Sequence, residues 1–340
     1  MKFRQFFLLS LVLLGLSACR EPEDHISRTE MEAMDTIMSL SVYTQNEQAG
    51  TAVLQEAENM IRELDARLSV TDENSEIYRV NHCRNMPAEV SDDTAELLDK
   101  ALELCEMTGG KLDISIYPVV SAWGFTTGNF RVPDDDEIAE LLDRTGYERI
   151  VLDDGAVALD DGMELDLGAV AKGFAGDRLM KFFQEKGVES AIVSLGGNVQ
   201  TLGAKPDGSP WKVAVQAPEG GYAGALDVVG KAVVTSGGYQ RFFVRDGKTY
   251  IHIIDPETGK PVDNGLASVT VVADCGVVGD GLSTALFVMG FEDAVEFWRE
   301  HRDFDAVFLM EDGSAAITEG LEDCFSLYGE WTDRPLEIIR

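Results

Sequence analysis

Thr249-Tyr-Ile-His-Ile-Ile-Asp-Pro-Glu-Thr-Gly-Lys-Pro261 carries an apolar strand straight into a Pro/Gly turn. A strand that meets such a turn holds its last polar side chains in fixed positions at a sheet edge. The same texture continues outward. Strands are expected at 211–216, 231–235, 241–244, 249–254 and 268–273, and the short turns between many of them predict antiparallel pairing. Upstream, residues 36–43 alternate as a strand should, 191–195 read as a buried strand before the turn Gly196-Gly197-Asn198, and 150–159 read as a strand pair around Asp153-Asp-Gly155. Residues 112–120 read as a strand or extended core segment. Apolar residues at helical spacing predict helices over 51–68, 92–107, 135–142, 168–186, 280–289 and 292–301. Strand runs beside separate helices predict an α+β fold of largely antiparallel and mixed sheets packed with helices. No repeat or low-complexity linker divides it, so one folded catalytic unit is expected.

The chain has 340 residues and a formal net charge of −33. Acidic residues spread along its length exclude nucleic-acid binding through the general field. An anionic nucleotide would have to be shielded locally, by a divalent cation, a lysine or helix N-termini. Residues 1–19 read as an export signal: Lys2 and Arg4 precede an apolar run, Phe6 to Leu16, that is short for a bilayer span. The run ends in Leu16-Ser-Ala-Cys19, which resembles the lipobox of bacterial lipoproteins. Cys19 is then the expected lipidation site, residues 20–27 a tether, and 28–340 a domain anchored on the periplasmic side of a bacterial membrane. An ordinary signal peptide or membrane anchor is the other reading. The remaining cysteines form no CxxC pair, which argues against zinc.

Four segments carry candidate chemistry. Asp280 and Thr284 lie four apart on an expected helix, about one turn, so both oxygens can take positions around Mg²⁺; a capped helix end with a solvated partner would look the same. Asp166 and Lys172 flank Gly168-Ala169 at a helix entrance, where backbone N–H groups favour an anion. His252 alternates with Ile251 and Ile253 and could exchange a proton near a phosphate, although a half-buried strand histidine is the plainer account. Asp255 is expected to cap the turn after it. Trp123-Gly124-Phe125 offers aromatics to a flat ring, or to the core.

Taken in order, these segments resemble the ApbE family of FAD:protein FMN transferases. Met34-Asp-Thr36, Leu68-Ser69, Asn74-Ser-Glu-Ile77 with Asn81, Leu112-Asp-Ile-Ser-Ile-Tyr-Pro118, Trp123-Gly-Phe125, Asp166-Leu-Gly-Ala-Val-Ala-Lys-Gly173, Ser194-Leu-Gly-Gly-Asn198, Thr235-Ser-Gly237, His252-Ile-Ile-Asp-Pro-Glu-Thr-Gly259 and Asp280 with Thr284 match its blocks along nearly the whole mature chain. The resemblance implies Mg²⁺-dependent transfer of FMN from FAD to a Thr or Ser hydroxyl of an exported protein, with release of AMP. It implies that Met34, Thr71, Trp123, Gly124, Phe125, Asp166, Lys172 and Ile254 touch FAD, that Asp280, Thr284 and the Ala169 carbonyl hold the metal, and that His252 assists proton transfer. The acceptors it suggests are exported Nqr- or Rnf-type subunits. An Mg²⁺-dependent FAD pyrophosphatase and a lipid-anchored flavin scavenger are the alternatives. The chain departs from the pattern at Asp35 and Tyr117, where glycine is usual, and at Gly281, where alanine is usual; Tyr117 is expected to alter how a ring fits.

Overall fold

A nine-stranded sheet runs through the protein in chain order: His25–Ala33, Thr36–Thr44, Ala191–Leu195, Asn198–Leu202, Ala232–Gly237, Leu266–Ala273, Asp305–Met310, Ala315–Thr318 and Leu336–Ile339. Every neighbouring pair is antiparallel except the last, which is parallel. The computed structural model describes residues 25–83 and 86–340. Cys19 and the expected export signal lie outside them.

The side chains alternate across this sheet as the pleat requires. One face takes Met38, Leu40, Val269, Val271 and Phe308 into a core shared with helices α1 (Glu47–Leu68), α2 (Glu76–His82) and α3 (Asp92–Met107). The other face packs Val233, Val272, Val307 and Ile317 against a three-stranded sheet, Trp211–Gln216, Tyr222–Val228 and Phe325–Leu327. The strand Leu266–Ala273 is buried along its whole length because both faces are covered. Two short helices follow α3, α4 (Tyr117–Trp123) and α5 (Asp135–Leu142). Helices α6 (Ala171–Glu185), α7 (Gly276–Met289) and α8 (Phe291–Glu300) complete the helical layer. The chain is α+β, as its pattern of elements indicates.

Three expectations change. Residues 25–27, read as tether, belong to the first strand, where Ser27 pairs with Val42 and is buried. Residues 112–120 are not a strand. Asp113 accepts hydrogen bonds from the Ser115 amide at 2.8 Å and hydroxyl at 2.6 Å, which turn the chain into α4 with Pro118 in its first turn. The run 249–254 is broken: one strand, Lys248–Ile251, ends before His252 and another, Ile254–Asp255, begins after it. His252 sits in the bend, so strand alternation does not set its direction.

Candidate active site

The N-termini of α6 and α7 meet edge to edge, and two aspartates tie them together reciprocally. Asp280, on α7, accepts a hydrogen bond from the Gly173 amide in the first turn of α6 at 2.8 Å. Asp177, on α6, accepts from the amides of Gly276 and Val277 at the start of α7, at 2.6 and 2.9 Å. Each carboxylate satisfies N–H groups that a helix end leaves without partners. The contact is close because it runs through glycines: a Cβ on Gly173 would stand 2.2 Å from the Gly276 carbonyl oxygen. Gln200 donates to the Gly173 carbonyl at 2.8 Å and fills the same seam.

A cleft of about 890 Å³ opens beside this seam. Met34, Thr71, Phe125, Asp166, Ala169, Lys172, His252, Ile254, Asp280 and Thr284 all line it, although up to 250 positions separate them in the chain. The volume falls within the ordinary range for a ligand site. Trp123 and Gly124 are not on its surface. The Trp123 indole is buried and donates to the Gly259 carbonyl at 2.9 Å, tying α4 to the turn of Pro256 to Gly259. Gly124 ends α4 at φ 84°, and a Cβ there would meet the Asn129 carbonyl at 2.2 Å. Both are scaffold. Tyr117 is also buried and does not itself line the cleft. Asp255 holds its turn as expected, accepting from the Glu257 amide at 3.0 Å and the Thr258 hydroxyl at 3.1 Å.

The electrostatics are local and mixed. Asp280 is 5% exposed and has no ion-pair partner among the described residues, and burial pushes its carboxyl above the usual carboxylate range. The Lys172 charge opposes that shift through space, and the Gly173 amide opposes it by hydrogen bonding. Burial likewise raises Asp166, which accepts from the Gly168 amide at 2.8 Å. Thr284 is held by Ser236, with 3.1 Å between their hydroxyl oxygens, and Ser236 also meets Ser283 at 2.9 Å. Burial lowers His252 to about 4, helped by the positive charges of Arg241 and Lys172. Its Nδ1 lies 3.2 Å from the Arg241 carbonyl oxygen, which can only accept; Nδ1 therefore carries the hydrogen and Nε2 keeps its lone pair.

Four further residues take part, of which Asn81 and Asn198 fall within the matched blocks and Arg241 and Asp177 do not. Asn198 is 1% exposed, lines the cleft, and leaves both side-chain atoms without hydrogen-bond partners among the described residues. Arg241 supplies a second cation to the cleft and reaches the Asp35 carbonyl at 3.4 Å. Asn81 brackets Leu165 with hydrogen bonds of 2.7 and 2.9 Å, which hold the Asp166 segment in place. Asp177 acts across 99 residues. Its helical position says nothing of its partner; only the glycines at 173 and 276 hint that two backbones approach there.

The donor set suits a hard cation. Among the described residues no group of three or more His, Cys, Asp or Glu is arranged to hold a metal. Asp280 and Thr284 bring a carboxylate and a hydroxyl to the cleft, which Ala169 also lines. Mg²⁺ characteristically takes one or two carboxylates and completes its shell with phosphate oxygens and water. A buried carboxylate without a cationic partner is the feature that calls for such an ion.

Comparison with known proteins gives the family and the fold. A model of the ApbE family matches residues 34–308. An FAD:protein FMN transferase of Klebsiella pneumoniae (strain 342) is 33% identical over 285 residues, 82% of this chain and 87% of that protein. One from Treponema pallidum (strain Nichols) is 32% identical over 339 residues, 93% of each. Among solved structures, the ApbE protein of Thermotoga maritima superposes with a TM-score of 0.82 at 32% identity, over 87% of this chain and 98% of its own. Flavin transferase ApbE from Vibrio cholerae gives 0.76 at 26% identity, over 91% and 99%.

Proposed function

The chain belongs to the ApbE family, and from that premise we propose that it is an enzyme that transfers FMN from FAD to a Thr or Ser hydroxyl of an exported protein, releasing AMP. The observation that carries the reading is the convergence of Asp280, Thr284, Lys172, Asp166 and His252 on one cleft large enough for a dinucleotide. Met34, Phe125 and Ile254 give that cleft an apolar side for a flat ring.

The acceptor oxygen forms a bond to the FMN-side phosphorus as the bond between that phosphorus and the bridging oxygen breaks; AMP carries away the bridging oxygen. The hydroxyl proton passes to His252 Nε2, the nitrogen that the Arg241 carbonyl leaves free. Lys172 and Arg241 face the negative charge that gathers on the phosphates. Asp280, Thr284 and the Ala169 carbonyl would hold Mg²⁺, which when bound supplies Lewis-acid charge to the pyrophosphate. Asp280 keeps one oxygen on the Gly173 amide, so its orientation is set before any ligand arrives.

The Leu16-Ser-Ala-Cys19 lipobox supports a lipid anchor at Cys19 on the periplasmic side of a bacterial membrane, and exported Nqr- or Rnf-type subunits are the proposed acceptors. The test is direct. Purified protein, FAD, Mg²⁺ and an acceptor domain of that type are mixed, and the products separated. A covalently flavinylated acceptor with one AMP per label is expected. AMP and free FMN without labelling would identify a pyrophosphatase, and FAD held without turnover a scavenger.

A further inference from the structure

The hairpin of Phe242–Arg245 and Lys248–Ile251 stands between two residues of the cleft wall, Arg241 before it and His252 after it. Its faces differ. On the inner face the rings of Phe130 and Phe243 stack at 5.1 Å and 18°, those of Phe243 and Tyr250 at 5.1 Å and 16°, and Trp123 adjoins Tyr250 at 5.5 Å. This row fixes the hairpin to the body. On the other face Ile251 packs toward the core, while Phe242 is 50% and Val244 60% exposed. Single exposed apolar side chains are ordinary; two on one face of a pinned hairpin at a cleft mouth mark a contact surface.

The tip adds charge. Asp246 and Gly247 turn the chain with φ of 51° and 77°, the two-residue geometry that joins hairpin strands tightly. Arg245 and Lys248 pair across that turn on the face of Phe243 and Tyr250, with the Lys248 ammonium 5.5 Å from the Tyr250 ring centroid, so a strand added at the hairpin's edge would meet cations on one side and Phe242 and Val244 on the other; neither is ion-paired among the described residues. Three cations, Arg241, Arg245 and Lys248, thus stand against one carboxylate in this stretch of a chain whose net charge is −33. Among the described residues the two strands pair only with each other. Their outer edges carry free N–H and C=O groups of the kind an extended polypeptide pairs with.

We propose that the free edge and tip of this hairpin receive the acceptor polypeptide, as an extended segment whose alternate side chains are acidic toward Arg245 and Lys248 and apolar toward Phe242 and Val244, and lead its hydroxyl to His252. The inference rests on the transferase reading above and adds where and how the acceptor docks. An anionic membrane surface is the other partner that cations and apolar side chains can meet. The chain's overall negative charge opposes it, and the hairpin's continuity with the cleft favours the acceptor.

The test uses the full protein with R245E/K248E and, separately, Val244→Glu; none of these residues lines the cleft. The acceptor is the domain labelled in the transfer assay. Each variant is expected to raise KM for the acceptor about tenfold or more, with kcat held within about twofold. FAD affinity, read by flavin fluorescence, and AMP release to water stay at wild-type values. Added salt raises the wild-type KM and leaves that of the charge-reversed variant flat. An unchanged acceptor KM overturns the proposal, and so does FAD affinity falling in step with transfer. Wild-type binding to phosphatidylglycerol vesicles that R245E/K248E loses, at unchanged acceptor KM, assigns the hairpin to the membrane instead. Should the wild-type enzyme label no acceptor at all, the transferase reading itself fails; labelling with an unaltered KM fails the docking surface alone.

Discussion

Where α6 meets α7, the cleft wall is buried, glycine-packed and held by carboxylates on backbone amides. Across the mouth, the Met34-Asp35 turn and the 242–251 hairpin are exposed, cationic in part and shaped by turn geometry. Met34 and Asp35 both adopt positive φ, 48° and 57°, between paired strands. Neither is a glycine, so the turn stores backbone strain of order 1 kcal/mol per residue. The seam owes its precision to partners about a hundred residues away; the rim owes its shape to its nearest neighbours. The wall is thus organised to hold charge in place, and the rim to present side chains outward.

The largest test of that contrast is Asp280→Asn. Asparagine still accepts from the Gly173 amide, so the seam should stay folded by circular dichroism while turnover falls on the order of 10³-fold or more. Full metal-dependent activity would remove Asp280 from the site. His252→Gln is expected to lower kcat on the order of 10²-fold. Its pH behaviour sharpens the point. His252 titrates near 4 in the folded chain against an ordinary 6.5, so the unfolded chain takes up the proton first. Its contribution to stability is full above about 6.5 and is lost as the pH falls to about 4. The acid limb of kcat/KM should lie near 4 as well; a limb at 6.5 that vanishes in the variant would contradict the burial argument.

Packing effects come next. Gly173→Ala drives a methyl into the Gly276 backbone, and a loss of about 1–3 kcal/mol in urea unfolding is expected. Smallest is Asp35→Gly, which relaxes a left-handed residue and should stabilise by about 1 kcal/mol, with FAD affinity unchanged. If the rim variant destabilises more than the seam variant, the contrast between the two regions is wrong.

The sequence exposed those parts whose physics is local. Helices α3 and α5 end where their amphipathic spacing ends, and Asp134 caps α5 by accepting from the Glu137 amide at 2.8 Å. Residues 112–120 misled because an apolar run has no decisive period, and the Asp113–Ser115 hydrogen bonds turned it. His252 misled in direction, since the bend that places it depends on the Arg241 carbonyl, which accepts from its backbone N–H at 3.0 Å. The recognisable blocks named most of the cleft lining. They could not separate Phe125, which faces the cleft, from Trp123, which anchors α4 behind it. At Gly281 a Cβ would stand 2.8 Å from Leu104 Cδ1, the end of a side chain that can shift, so the alanine usual in the family would need only a local repacking.

The paired aspartates also govern how this protein can fail. Neither helix can lift from the cleft without uncapping the other, so the amides of Gly173, Gly276 and Val277 share a single opening event. Heating should therefore divide a sample into intact and inert molecules, and the surviving fraction should bind flavin as tightly as on the first day.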